Sequence, residues 1–410
     1  MAKEIIMGVD AADEFYYGYQ HGFLYGEDRI RQLVRTCAEA GINSICWRVS
    51  CLGQVTYRSK VRTIIGTTVE TPGRFREASV DRLVIEQCDP PAVVIDEAAK
   101  CGLKVYLYVT LFDEYYPGCE SEFEVRHPQF TWQHRLLDHR IRGLLSYSHP
   151  EVREHRLAEL KELMAYGPDG IYLDTARTHS GIQHVCPLPL TGKDPYLQYG
   201  FNEPECQEYQ RRFGFNPRLG NPADAAVGDF DPGKWNRLRG EYLTQFLREA
   251  RAEARRTGVE LIAGFYTDAE CYLSPAGRRG RVPLGEFHHD WQTWIAEDLV
   301  DGFVILSEHR RYGAKDWREH SAAQFADARQ RGKHVAISGA TEERIDGMED
   351  PPAPLPIAAN QDRKLFIQAL DRALGACLAT DADGLFLYES ASVEEHDYWD
   401  DLARILRANR

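Results

Sequence analysis

Short apolar runs alternate with amphipathic helical patterns eight times along this chain of 410 residues. Strict alternation of this kind predicts a parallel sheet whose strands are joined by helices. Eight such units close a (β/α)8 barrel, the α/β fold that we expect here. An open, doubly wound sheet is the alternative, but the first run ends Gly-Val-Asp-Ala-Ala-Asp and lacks the Gly-rich phosphate loop of that fold. The predicted strands are Glu4–Val9, Ile42–Val49, Lys104–Thr110, Gly170–Leu173, Leu261–Thr267, Gly302–Ser307, His334–Ser338 and Gly384–Tyr388.

The stretches between these elements indicate one domain with long loops. The chain shows no linker that separates domains, so we expect a single barrel over residues 1–410. Long insertions follow strand ends at about residues 51–91, 112–146 and 178–234, and loops of this length are usually functional. No internal repeat beyond the βα unit is visible. The predicted helices are Asp28–Ala40, Pro150–Tyr166, Glu203–Phe213, Trp235–Arg256, Asp316–Gly332, Gln361–Leu378 and Val393–Arg407.

Composition and charge disfavour several classes of function. The net charge of −14 argues against nucleic acid or a membrane surface as the main partner. No run approaches the ~18 apolar residues that a membrane span needs. The first predicted strand begins at Glu4, so we expect no signal peptide. The ten cysteines match no zinc or Cys-x-x-Cys spacing, which predicts free thiols in a reducing, cytoplasmic compartment.

Polar and charged residues stand at the ends of the predicted strands. In (β/α)8 barrels the C-terminal strand ends carry the active site. The fourth strand delivers Asp174 to such an end, and alternation puts Tyr172 and Asp174 on the same side of the strand. The alternative for Asp174 is a structural one, in which it caps the following loop. The strand-end residues are Asp10, Arg48, Asp174, Asp268, Glu308 and Glu389, with Asp113 a little beyond the third strand.

Several carboxylates and aromatic rings at one barrel mouth are typical of enzymes that cleave glycosidic bonds. One carboxylic acid protonates the leaving oxygen, and a second carboxylate attacks C1 or activates water. Other chemistries lack their motifs, since the chain has no His-x-His after strand one, no Gly-x-Ser-x-Gly elbow and no Gly-rich nucleotide loop. The neighbours His288 and His289 lie at the entry to a helix, where adjacent residues point in different directions. We therefore expect no metal and no cofactor.

Two segments around the fourth strand resemble a known family. They are Ser148-His-Pro-Glu-Val-Arg and, one helix later, Tyr166-Gly-Pro-Asp-Gly-Ile-Tyr-Leu-Asp174. Barrels called family 10 glycosylhydrolases typically show Asn-Pro-Glu-Val-Arg, a helix and then Tyr-x-x-Asp-Gly-Ile-x-x-Asp. The runs that begin at Phe201, Tyr209, Trp235 and Trp291 look similar to members of this group as well.

The resemblance covers about residues 145–310 and implies a glycoside hydrolase fold with Asp174 as a catalytic residue. It implies no particular substrate, because the family is diverse. Many members have an aromatic-Pro pair after the fourth-strand Asp, whereas this chain continues Thr-Ala-Arg-Thr-His. This difference places Arg177 and His179 near the mouth.

The expected roles follow from comparison with other barrels. A fourth-strand Asp is the nucleophile in barrels that resemble α-amylases and α-galactosidases, and we expect that role for Asp174. Its partner comes from strand five, six or eight, with Glu308 as first choice ahead of Glu389 and Asp268. An ion pair with a neighbouring Arg is the structural alternative for each. The expected substrate-binding residues are Asp10, Trp47, Arg48, Tyr108, Glu114, Arg177, His179, Tyr266, Asp268 and Arg310.

The arginines leave the kind of sugar open. Arginine binds carboxylates bidentately, which would suit an acidic polysaccharide fragment of plant or bacterial origin. The same arginines also balance the rim carboxylates, so they do not decide the matter. Two functions other than hydrolysis also fit a carbohydrate partner. One is a barrel that binds sugar without turnover, and the other is a lyase that uses Tyr, His and Arg on an acidic polysaccharide.

Overall fold

Eight parallel strands close into a barrel in a computed structural model of the chain, in the ring order β1-β8-β7-β6-β5-β4-β3-β2. The (β/α)8 prediction is therefore confirmed. The structure describes residues 3–67, 76–115, 119–135, 139–175, 199–219, 230–266, 270–273, 285–306, 326–339, 362–379 and 382–409. The strands are β1 (Glu4–Asp10), β2 (Ser44–Arg48), β3 (Lys104–Thr110), β4 (Gly170–Asp174), β5 (Glu260–Tyr266), β6 (Gly302–Leu306), β7 (His334–Gly339) and β8 (Gly384–Tyr388).

The helices surround this ring and differ from the predictions at a few places. The predicted helix Val393–Arg407 is two helices, because Asp397 takes a positive φ of 55° between them. Most of the predicted helix Asp316–Gly332 lies outside the described residues. The helices are α1 (Ala11–Gln20), α2 (Glu27–Ala40), α3 (Arg76–Gln87), α4 (Pro90–Cys101), α5 (Glu122–Arg126), α6 (Pro150–Met164), α7 (Glu203–Phe213), α8 (Pro232–Thr257), α9 (Trp291–Ala296), α10 (Arg363–Ala379), α11 (Ser390–Glu395) and α12 (Trp399–Ala408).

The loops that follow the strands carry structure of their own. The insertion after β2 contains α3, and the insertion after β3 contains α5. Among the residues that the structure describes, three antiparallel strand pairs lie outside the barrel: Ser50–Cys51 with Gln54–Val55, Thr131–Gln133 with Arg140–Leu145, and Glu270–Leu273 with Gly285–His288. Within the described ranges, no helix is long and apolar enough to cross a bilayer. Seven cysteines whose side chains are described are free thiols, and all but Cys101 are buried: Cys37, Cys46, Cys88, Cys101, Cys119, Cys206 and Cys377.

Alternation along each strand divides the core into two clusters. Residues such as Val9, Trp47 and Leu173 face outward and pack under the helices. Their neighbours in the chain face inward and fill the barrel, where Cys46 and Tyr172 belong to one apolar cluster. Because side chains point to opposite faces with a period of two, this division fixes which strand-end residues reach the inside of the barrel.

Four Asx side chains tie the N-terminal ends of the strands together, and we call these contacts the Asx clamps. Each clamp residue directly precedes an even-numbered strand. Its side-chain oxygen accepts a hydrogen bond from the second backbone N–H of the preceding strand, and its carbonyl oxygen accepts one from the first N–H of the next strand. The side-chain bonds are Ile5 N to Asn43 at 2.8 Å, Val105 N to Asp169 at 2.8 Å, Leu261 N to Asp301 at 2.8 Å and Val335 N to Asp383 at 2.9 Å.

Four backbone bonds to the carbonyl oxygens of Asn43, Asp169, Asp301 and Asp383 complete the ring of clamps. The donors are the N–H groups of Lys104, Glu260, His334 and Glu4, in that order, at 2.9–3.1 Å. Together the clamps therefore connect all eight strands. Glycine follows the aspartate in three of them, and a Cβ at Gly302 would lie 2.6 Å from the His334 carbonyl oxygen. This Asp-Gly repeat was not expected from the sequence. Its spacing along the chain is unequal, so no fixed period reveals it.

We predict that Asp383→Ala lowers the free energy of unfolding by about 1 kcal/mol, because the Val335 N–H loses its partner. Asp383→Asn keeps an acceptor oxygen, as Asn43 does in its own clamp, and should stay within about 0.5 kcal/mol of the wild type. Urea unfolding of both variants measures the difference. Equal losses in the two variants would mean that the charge of Asp383, and not its acceptor oxygen, is what matters.

Candidate active site

Consecutive barrel strands, from β8 through β1 to β4, direct polar side chains into the C-terminal opening of the barrel, which we call the mouth. In the register of the sheet Asp10 lies beside Arg48, and Arg48 lies beside Tyr108. Tyr108 in turn lies beside Tyr172, two residues before Asp174. These positions share the inward-facing parity, so closure of the barrel alone brings residues distant in sequence together.

Arg48 joins two carboxylates in the mouth. Its guanidinium donates to Asp10 and, at 2.9 Å, to Asp113 Oδ2. The Tyr388 hydroxyl donates to Asp10 Oδ2 at 2.6 Å. Asp10, Arg48 and Asp113 are at most 3% exposed. A buried guanidinium between two carboxylates is a geometrically fixed arrangement, and Arg48 and Tyr388 together hold Oδ2 of Asp10 in place.

Asp174 is held over an aromatic base. It is 3% exposed, and its Oδ2 accepts a hydrogen bond from the Tyr108 hydroxyl at 2.7 Å. The Tyr108 ring meets the Tyr172 ring edge to face with centroids 4.8 Å apart. The centroid of the Tyr172 ring lies 5.6 Å from that of Phe386. The Arg48 guanidinium carbon lies 5.7 Å from the Tyr108 ring centroid. The phenol thus fixes the orientation of the carboxylate, and the rings give the mouth an apolar base.

Glu389 joins a second group of acids on the other side of the mouth. Carboxylate oxygens of Asp10, Asp13 and Glu389 lie within 4.8 Å of one another. Oxygen ligands of this kind suit a hard cation such as Ca²⁺ rather than a transition metal. Arg48 and Tyr388 already donate hydrogen bonds to Asp10, so they stabilise part of the negative charge that a cation would otherwise neutralise.

Trp47 does not lie in the mouth, which corrects the expectation from the sequence. It is fully buried on the outer face of β2, in the cluster that packs under the helices. The reason is parity: Arg48 points inward, so its neighbour must point outward.

Glu114 is also placed away from the mouth. It lies four residues past the end of β3, where alternation no longer governs its direction, and its side chain is 0% exposed. Arg156 Nη1 donates to it at 2.6 Å, and Arg62 lies 2.8 Å from its other oxygen. Glu159, 2.8 Å from Arg156, completes a network of two acids and two arginines. Glu114 is thus a member of a buried, charge-balanced network rather than a surface that meets substrate.

The structure does not describe the side chains of the remaining predicted residues. Arg177, His179, Asp268, Glu308 and Arg310 lie outside the described residues, as does the side chain of Tyr266, the last residue of β5. Tyr388 belongs to the described mouth but was not predicted. Its sequence signal is that it shares inward parity with Phe386 at the end of β8.

In fold, the chain is similar to two solved glycoside hydrolases. One is the glycoside hydrolase domain of PgaB (BpsB) from Bordetella bronchiseptica, with a TM-score of 0.57, 12% identity and 99% of each chain covered. The other is a GH20 exo-β-N-acetylglucosaminidase from Vibrio harveyi, with a TM-score of 0.51 and 13% identity over 99% of this chain and 54% of that one. At these identities the likeness shows the barrel fold.

Comparison of sequences shows no family. No family model matches the chain. Over 100 residues, 24% of its length, it is 30% identical to the large ribosomal subunit protein uL22 of Drosophila yakuba and of Drosophila melanogaster. The chain spans about half the length of these curated relatives, 52%. The resemblance to family 10 glycosylhydrolases therefore stays a prediction.

A buried acid lies directly behind the acidic side of the mouth. Glu14, on the first turn of α1, is fully buried and hydrogen-bonds to the hydroxyl of Ser390, the residue after Glu389. Burial raises the pKa of Glu14 to about 8, against the opposing effect of the Ser390 and Tyr25 hydroxyls. Glu14 therefore holds its proton at neutral pH and connects α1 to the start of α11.

We predict that stability falls as the pH rises from about 6.5 to about 8, where folded Glu14 keeps a proton that the unfolded chain has released and the buried His155 and His289 are neutral in both states. One such group changes the free energy of unfolding by at most about 1.4 kcal/mol per pH unit. Glu14→Gln cannot ionise, so it should flatten the profile and gain stability over wild type at pH 8. Glu124, whose pKa burial also raises to about 8, should leave a residual slope.

Thermal unfolding across this pH range makes the comparison. Glu395→Gln is the control, because Glu395 is exposed and lies at the end of α11, the helix that Ser390 begins. This variant should keep the slope of the wild type. A Glu14→Gln profile as steep as that of the wild type would contradict the prediction.

Proposed function

We propose that this chain is a glycoside hydrolase whose central catalytic carboxylate is Asp174. The observation that carries the proposal is its placement: a buried carboxylate at the C-terminal end of β4, oriented by a tyrosine hydroxyl above an aromatic base. A fixed carboxylate beside ring faces suits the oxocarbenium-like transition state of glycoside cleavage, and the rings suit the apolar faces of sugars. Two solved barrels of similar fold, from Bordetella bronchiseptica and Vibrio harveyi, are glycoside hydrolases, which supports the same class of reaction.

The topology of the barrel bears on the partner of Asp174. In the ring of strands β8 lies opposite β4, and Glu389 after β8 is grouped with Asp10 and Asp13. That position favours contacts to substrate hydroxyls on the far side of the mouth. Glu308 follows β6, two strands from β4, and remains our choice for the acid. A separation of ~5 Å from Asp174 would imply a covalent intermediate and retention, and ~6.5–9.5 Å would imply inversion.

The charges of the described mouth bear on the kind of sugar. Among the described residues of the mouth, Arg48 is the arginine that could meet a substrate carboxylate, and Asp10 and Asp113 already bind its guanidinium. Since this guanidinium has its carboxylate partners within the protein, we propose an uncharged sugar chain as the substrate. Arg177 and Arg310, on which an acidic substrate would depend, lie outside the described residues. Hydrolysis of neutral aryl-glycosides and failure on matched uronides tests this choice.

We predict that Asp174→Asn reduces kcat by at least ~1,000-fold, because shape is kept but the negative charge opposite the developing oxocarbenium is lost. The matched control is Asp169→Asn, at the residue that directly precedes the same strand. Asp169 lies at the opposite end, where an amide oxygen can replace the carboxylate in the Asx clamp, so activity should stay within ~3-fold of wild type.

A screen of aryl-glycosides and neutral oligosaccharides, with product analysis, makes this measurement. Near-wild-type turnover in Asp174→Asn would remove the proposal. A product with new near-ultraviolet absorbance would identify a lyase instead. Sugar binding without turnover by the wild type would identify a binding barrel.

We predict that Glu308→Gln slows cleavage of poor leaving groups ~100-fold or more while activated aryl-glycosides change little, because only the poor ones need a proton. Glu389→Gln should raise KM without this dependence on the leaving group, since we place Glu389 at substrate hydroxyls. The measurement is the slope of log kcat against leaving-group pKa in both variants. A steepened slope in Glu389→Gln alone would exchange the two roles.

A further inference from the structure

We propose that His289 and Thr175 form a positioning pair that holds the Asp174 end of β4 against β5. The inference rests on the proposed function, because it assigns these residues to the orientation of the same carboxylate. Both residues are 0% exposed and lie 114 positions apart in the chain, and neither was expected in the site.

The contacts centre on the threonine that directly follows Asp174. The Thr175 hydroxyl donates to the Gly264 carbonyl oxygen of β5 at 2.6 Å, and its backbone N–H reaches the same oxygen at 3.1 Å. His289 Nε2 lies 3.1 Å from the Thr175 hydroxyl oxygen. Asp174 itself lies beside Gly264 in the register of the two strands. The pair therefore fixes the backbone one residue away from the carboxylate.

Hydrogen-bond accounting assigns the state of the histidine. A hydroxyl carries one proton, and that of Thr175 goes to Gly264. The hydroxyl oxygen must then accept from His289, so Nε2 carries a hydrogen. Burial lowers the pKa of His289 to about 3, which keeps the ring neutral at working pH. A neutral ring with hydrogen on Nε2 is the form that satisfies Thr175 without adding a charge beside Asp174.

The histidine is itself held from behind. Its ring packs edge to face against Phe287 and Trp294, with centroids 5.1 and 5.6 Å away. Helix α8 packs against the backbone of His288, the residue before His289. The approach is so close that a Cβ at Gly240 of α8 would lie 2.1 Å from the His288 carbonyl oxygen. The backbone that carries His289 therefore rests directly on α8.

Asp174 is thus fixed from both neighbouring strands. Tyr108 of β3 holds its carboxylate, and Thr175 with His289 holds its backbone on β5. A displacement of about 1 Å in a catalytic group can reduce a rate ~100-fold. Loss of the pair should consequently reduce kcat and leave substrate affinity nearly unchanged.

The test compares variants that remove or keep the hydroxyl. Thr175→Val preserves shape and should lower kcat ~10–100-fold at constant KM, whereas Thr175→Ser should restore most of it. His289→Phe removes the donor and should resemble Thr175→Val. Gly240→Ala, which pushes on the His288 carbonyl, should lower kcat as well. Gly375→Ala on α10, where a Cβ meets nothing within 4 Å, is the matched control and should keep wild-type kcat.

A readout independent of turnover separates this inference from the proposed function. With ¹³C-labelled aspartate, the Asp174 carboxyl signal is identified by its loss in Asp174→Asn. It should shift in Thr175→Val and in His289→Phe, and return to its wild-type position in Thr175→Ser. Unchanged signals in the first two variants would overturn the positioning pair, whatever activity the wild type shows. Altered signals in these two variants, together with a wild type that cleaves no glycoside, would support the pair and refute the proposed reaction.

Discussion

The Asx clamps at the N-terminal ends of the strands are the constraint on which the mouth depends. Each clamp fixes three consecutive strands by one side-chain bond and one backbone bond, and the four together close the ring. The register of the barrel strands determines which side chains point into the mouth, since a slip by one residue exchanges inward and outward side chains. With the register set, Arg48 meets Asp10 and Tyr108 meets Asp174 at the other end, more than a strand length away.

A second set of polar contacts holds the loops above the strands. The network of Glu114, Glu159, Arg62 and Arg156 is almost fully buried and carries no net charge. Arg156 also donates to the carbonyl oxygen of Thr110, the last residue of β3. Removal of one member would leave an unpaired charge in the interior, which is far more costly than exchange of a whole ion pair. The loops that carry Asp113 are therefore fixed to the same strand that carries Tyr108.

The sequence predicted the barrel and most strand ends because both depend on local patterns. Asp10, Arg48, Tyr108 and Asp174 are inward-facing strand residues, and the structure brings them together. Trp47 was misplaced although parity was already visible in its neighbour Arg48. Glu114 and the clamps were beyond reach for another reason: their partners are set by loop paths and by tertiary contacts between strands. The same holds for His289, whose position beside Thr175 has no local signal.

Asp169, which directly precedes β4, and Asp174, which ends it, show how the two ends of a strand assign different tasks to one residue type. Near the N-terminal end of β3 the backbone N–H of Val105 needs an acceptor, and the carboxylate of Asp169 supplies it. At the C-terminal end of β4 the nearby backbone N–H groups of Leu111 and Thr175 donate to carbonyl oxygens of the neighbouring strands, at 3.1 Å each. The carboxylate of Asp174 has a side-chain donor instead, which Tyr108 supplies. A carboxylate whose partners are side chains can be aimed by substitution of those partners, whereas one bound to the backbone cannot. This asymmetry places adjustable acids at the mouth of the barrel and structural ones at its base.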